Sequence, residues 1–106
     1  MTRDMRTDRM IRHIAMFTFK PDAPDTAAQS LEEGLFLLAQ TITEIAAYTY
    51  GSDLGLRDGN YDFAVVADFE NDEDFKTYAD HPDHQAFIQD RIVPILEKRV
   101  SLQFEI

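Results

Sequence analysis

Ala28, Leu31, Leu35, Leu38, Ile42 and Ile45 recur at intervals of three, four, three, four and three residues. At helical periodicity that spacing places all six on one stripe. A helix with one apolar stripe has to cover it against another element, so this segment predicts a core-facing helix. Phe36 and Leu37 fall beside the stripe and widen it, as suits a helix lying flat on a sheet or touching a second partner. Its start has two readings, because Thr26 with Gln29 and Ser30 with Glu33 both fit a capping box.

The flanking segments change to the period of a strand. In "IRHIAMFTF", Ile11 to Phe19, one alternating face carries Ile11, His13, Ala15, Phe17 and Phe19. "KPDAPD" then breaks the strand and leads into the helix. After the helix come a short aromatic strand near Ala47 to Tyr50, a loop rich in Gly, Asp and Asn, and a long strand from Tyr61 to Phe69 that should pair antiparallel with the aromatic one. Asn71 can cap a second helix, with Asp72, Glu73 and Asp74 in its first turn and Phe75, Tyr78 and Ala79 on its apolar face. The break at His81-Pro82 starts a further helical segment, with Pro82 in its first turn, and Pro94 kinks or ends it. "VSLQFEI" alternates Val100, Leu102, Phe104 and Ile106 with Ser101, Gln103 and Glu105 and reads as a last strand.

The order βαββαβ is the ferredoxin-like split pattern, an α+β fold with a four-stranded antiparallel sheet and helices on one face only. The other face needs cover, which a second protomer can supply. At 106 residues, 44% hydrophobic and 28% charged, the chain makes one compact domain, small enough to gain stability from a homodimer. Residues 1–10 are expected to be a mobile polar leader, with Met5 and Met10 as alternative starts, and residues 11–106 the single domain.

Twenty acidic against ten basic residues give a formal net charge of −10, which repels phosphate backbones and anionic lipid at long range. Neither nucleic acid nor membrane is expected as a partner. With no cysteine, thiolate metal sites, disulfides and a cysteine nucleophile are excluded. No secretory signal or membrane span is legible, so a cytoplasmic protein is expected.

The chemistry-bearing residues cluster in "YADHPDHQAF", Tyr78 to Phe87. A neutral imidazole at His84, close to the start of the helix after Pro82, is suited to remove a proton. Tyr78 can donate a hydrogen bond to a carbonyl or developing enolate. The alternative is structural: His81 and His84 cap the broken helix while Tyr78 packs its ring in the core. His81 is read as a cap. His13 is either a buried core histidine or a polar group at a pocket mouth. The histidine spacing, even with Asp80 and Asp83, does not suit a metal, and no cofactor is expected. "GSDLGLRDGN" lacks the lysine of a phosphate cradle, and its Arg57 is read as an ion-pair partner.

"HIAMFTFKP", "GSDLGLRDGNYDFAVVADFEN" and "YADHPDHQAF" together resemble the stress-responsive A/B barrel (Dabb) family over nearly the whole chain, Ile11 to Ile106. The resemblance implies a dimeric α+β barrel whose two sheets face each other. Its best-understood enzyme is a plant polyketide cyclase that forms olivetolic acid. The tyrosine and histidine of that enzyme match Tyr78 and His84, and its first-strand histidine matches His13. A further histidine of its third strand falls at Phe63 here. Two functions follow from the resemblance: a homodimeric protein with a pocket for an apolar or aromatic metabolite, or a cyclase-like enzyme that performs an intramolecular aldol condensation through Tyr78 and His84.

Overall fold

A computed structural model describes residues 9–106. Residues 1–8, most of the segment read as a leader, lie outside the described residues. Arg9 and Met10 are tied to the domain: Arg9 Nε lies 3.2 Å from an Asp72 carboxylate oxygen, and the Met10 carbonyl accepts from the Ile106 amide at 3.1 Å.

The elements run β1 (Ile11–Phe19), α1 (Ala27–Thr41), β2 (Ala47–Ser52), β3 (Phe63–Phe69), α2 (Asp72–Asp80), α3 (Pro82–Phe87), a π-helical turn (Ile88–Ile92) and β4 (Leu96–Glu105). The four strands form one sheet in the order β2-β3-β1-β4, with every neighbouring pair antiparallel. This is the ferredoxin-like α+β fold that the order of periodicities predicts. Among the described residues, no helix is long and apolar enough to cross a membrane.

Strand β1 alternates as expected. Ile11, His13, Ala15 and Phe17 are buried beneath the helices and lie opposite Phe69, Ala67, Val65 and Phe63 of β3. Helix α1 buries Ala27, Leu31, Gly34, Leu35 and Leu38 against this layer. Its apolar stripe outlasts the helix, because α1 ends at Thr41 and Ile42 is already extended as the C-cap. Ile42 is nevertheless 1% exposed, and Ile45 packs on the core from the following turn.

Neither capping box forms. Thr26 occupies the N-cap position without a side-chain hydrogen bond, and Gln29 Nε2 donates to Glu33 Oε1 at 3.4 Å instead of reaching back to the helix start. Strand β3 begins at Phe63 rather than Tyr61, because Asp62 ties the loop to the end of β1. Its amide donates to the Phe17 carbonyl at 2.9 Å, and its carboxylate accepts from the Phe19 amide at 2.8 Å. Arg57, read as an ion-pair partner, is exposed and forms no salt bridge among the described residues.

Strand β4 turns its polar side toward the helices, with Gln103 opposite His13, Ser101 opposite Ala15 and Arg99 opposite Phe17. Its apolar side therefore lies on the open face, where Leu102 pairs with Ile14 and Val100 with Met16. Val100, Leu102 and Phe104 remain 42%, 54% and 42% exposed. A bidentate Arg12–Asp68 pair, at 2.8 and 2.9 Å, borders this face.

Candidate functional site

Helix α2 begins where Asn71 accepts a hydrogen bond from the Asp74 amide at 2.8 Å. That cap satisfies one free donor and sets the helix phase, which directs Phe75 and Tyr78 onto the sheet. Residue 67 of β3 is an alanine, fully buried, with His13 opposite it on one side and Tyr48 on the other. Its small side chain leaves room between the two rings. Tyr78 stands over this position, its ring centroid 6.3 Å from that of His13 and 6.0 Å from that of Tyr48, and its hydroxyl meets the Tyr48 hydroxyl at 2.8 Å.

The turn between α2 and α3 places His84. His81 is extended, ends α2, and accepts from the Asp83 amide through Nδ1 at 3.1 Å. It is the cap that the sequence predicts, and Pro82 follows in the first turn of α3. His84 then stacks on Tyr78, with centroids 4.1 Å apart and planes inclined by 33°. Its Nδ1 lies 3.1 Å from the Ala79 carbonyl. A carbonyl only accepts, so the ring proton sits on Nδ1 and Nε2 carries a lone pair.

Burial is the main cause holding the His84 pKa below its ordinary value. The nearby Arg99 and His81 act in the same direction, and the Ala79 hydrogen bond opposes them. Desolvation, which the sequence alone does not reveal, thus favours the neutral ring. His13, 7% exposed, accepts from Gln103 Nε2 through Nδ1 at 2.8 Å. Burial, then Arg99 and His84, lower its pKa to about 4. Both rings are neutral near pH 7.

His13, Tyr78 and His84 line one cavity of about 160 Å³ between the sheet and the helices. Ala15, Phe17 and Val65 form its sheet wall, Leu35, Phe87 and Ile92 its helical wall, and Arg99 reaches it from β4. Burial pushes the Tyr78 hydroxyl pKa up, while the Tyr48 hydrogen bond draws it down. Tyr48 is pushed up as well, again chiefly by burial. Either hydroxyl can donate in the 2.8 Å contact; when Tyr48 donates, the Tyr78 hydrogen is left for the cavity.

His13, Tyr78 and His84, the candidates legible in the sequence, are brought together by the fold. Tyr48, Gln103 and Arg99 join them without having stood out in the sequence. Strand alternation was the signal available for all three: Tyr48 and Tyr50 share a face, as do Arg99 and Gln103. Among the described residues, no group of three or more His, Asp or Glu is placed to hold a metal.

A four-stranded antiparallel sheet with helices on one face, and a largely apolar cavity between the two layers, define a ferredoxin-like α+β domain. The chain belongs to the stress responsive A/B barrel domain family, whose sequence model matches residues 11–106. It is similar to a dimeric ferredoxin-like protein of unknown function from Thermobifida fusca YX, with 42% identity, 92% of each chain covered and a TM-score of 0.85. A Dabb family protein with a ferredoxin-like fold from Mesorhizobium loti is 26% identical, with 91% of this chain and 95% of that chain covered and a TM-score of 0.75. The hydroxynitrile lyase of Passiflora edulis shares the fold at 22% identity, with 93% and 94% covered and a TM-score of 0.81. No curated protein matches the chain.

Proposed function

We propose that the protein is a homodimer in which each protomer holds a pocket for a small apolar or aromatic metabolite. The cavity carries this reading: apolar walls surround a few polar groups drawn together at one end, the usual composition of a ligand site. At about 160 Å³, it compares with the roughly 150 Å³ apolar cavity that admits a benzene molecule. A single ring or a short branched chain is the scale of ligand it accepts. Pairing through the open sheet face would cover Ile14, Met16, Val66, Val100, Leu102 and Phe104, and the relative from Thermobifida fusca is described as dimeric.

A second reading, acid–base catalysis on an oxo compound, is favoured by the lone pair on His84 Nε2 beside the Tyr78 hydroxyl. Nε2 would take a proton from carbon next to one carbonyl while Tyr78 donates to that carbonyl's oxygen. The enolate electron pair would then form a carbon–carbon bond to a second carbonyl carbon, and the imidazolium would return the proton to the new alkoxide. Nε2 would then remove the second proton from the same carbon and return it to the departing hydroxyl, so that water leaves and an enone remains; the sum is an intramolecular aldol condensation of the cyclase kind, on a substrate no larger than one ring.

Native mass spectrometry tests the first reading, with a dimer retaining a discrete small mass as the expected result and an empty monomer as the refutation. For the second, a short acyclic diketone that closes to a cyclohexenone should be turned over by the wild type and not by His84→Ala or Tyr78→Phe. Equal turnover by all three would remove the catalytic roles.

A further inference from the structure

The cavity wall carries one permanent charge. Arg99 lines it, and among the described residues no Asp or Glu does. The β-ladder sets its place: Arg99 is opposite Phe17, whose buried ring lines the same space. Because β4 is the edge strand of the sheet and Arg99 is exposed, its guanidinium stands at the mouth. From there its charge acts on all three polar groups within, lowering the pKa values of His13, Tyr78 and His84.

A cationic mouth on an apolar chamber is unexpected in a chain of net charge −10, whose long-range field repels anions. Attraction for an anion has to come from this one position. A planar guanidinium matches a carboxylate in two parallel hydrogen bonds. One such fork and a chamber the size of a single ring suit a monocarboxylate, whereas a phosphate would call for more donors than the wall provides.

We infer that the pocket's ligand is a small monocarboxylate, with its ring or branched chain among Phe17, Leu35, Phe87 and Ile92 and its carboxylate paired with Arg99 at the mouth. The inference rests on the pocket reading above and adds the chemical class of what the pocket takes. His13, Tyr78 and His84 are then left to meet whatever polar group the ligand carries at its inner end.

Isothermal titration with benzoate and with its neutral counterpart benzyl alcohol tests this on the full chain at neutral pH. Wild type should bind benzoate about tenfold or more the tighter, the scale of a charge-assisted hydrogen bond. Arg99→Gln should lose that preference while its affinity for benzyl alcohol stays within about twofold, and Arg99→Lys should keep part of it. Equal binding of the two probes by the wild type overturns the inference, as does an equal loss of both in Arg99→Gln; in either case benzyl alcohol binding by the wild type leaves the pocket reading standing. Failure of the wild type to bind either probe overturns both.

Discussion

Gly34 lies inside α1, where an alanine ordinarily stabilises a helix by about 1 kcal/mol. The structure reverses that expectation. A Cβ at Gly34 would stand 2.5 Å from both Cδ1 and Cε1 of Phe87, and 2.8 Å from Cδ of Arg91. Ordinary carbon contacts fall at about 3.5–4.0 Å, so the ring must retreat by about 1 Å. Arg91 is not free to absorb the change, because its Nη1 donates to the Ser30 carbonyl at 2.8 Å. Overpacking of this kind costs about 1–3 kcal/mol, which outweighs the gain in helix propensity and leaves Gly34→Ala destabilised by about 1 kcal/mol. For a domain of this size that lowers the unfolding midpoint by roughly 4–8 °C. Thermal unfolding followed by circular dichroism reads it, and a Phe87→Leu background identifies the cause: there the Gly34→Ala change should cost less than in the wild type, since the clashing ring is gone and only the Arg91 contact remains. A rise in midpoint in the wild-type background, or the same loss in both backgrounds, would refute the argument.

Leu102→Asp places a carboxylate on the open sheet face beside Ile14; it should convert a dimer to monomers in sedimentation analysis while preserving the circular dichroism spectrum, and an unchanged dimer would exclude this face as the interface. The pH dependence of stability follows from His13 and His84, whose folded pKa values lie below the unfolded value of 6.5. The unfolded chain therefore binds more protons, and the stability contributed by His13 is complete above about pH 6.5 and lost as the pH falls toward 4. The polar and titratable groups facing that ring are Arg99 and Gln103 from β4, Tyr78 from α2 and His84 from α3, so His13→Gln should show a smaller fall in unfolding midpoint between pH 7 and pH 5 than the wild type; superimposable profiles would count against it. Asn71→Ala should cost about 1 kcal/mol in chemical denaturation by removing the cap of α2, and no measurable loss would mean that the cap is dispensable.

Local signals carried far in this chain. The alternation of β1, the cap at Asn71, and the His81-Pro82 break each depend on neighbours in sequence, and each is found where the periodicity predicts it. What escaped depends on distant partners. The end of α1 could not be read from its stripe, because Ile42 and Ile45 go on burying themselves after the backbone has left the helix. The close approach of Gly34 to Phe87 comes from helix packing across half the length of the chain. Tyr48 and Tyr78 meet only because Ala67 is small and lies between His13 and Tyr48 in the ladder. For β4, alternation is plain in "VSLQFEI", but which side faces the helices is a property of register, and the polar side does. That placement put Arg99 at the cavity and Gln103 on the His13 ring, where a reading of apolar residues does not look.

If the space bounded by His13, Tyr78, His84 and the apolar walls is a preformed chamber for a small ligand, a crystal pressurised with xenon should show it, since xenon enters dry apolar cavities of this size. A xenon atom is expected between Phe87, Ile92 and Val65, beside the stacked Tyr78 and His84 rings. Absence of xenon there, with Phe87 or Ile88 collapsed into the space, would contradict it.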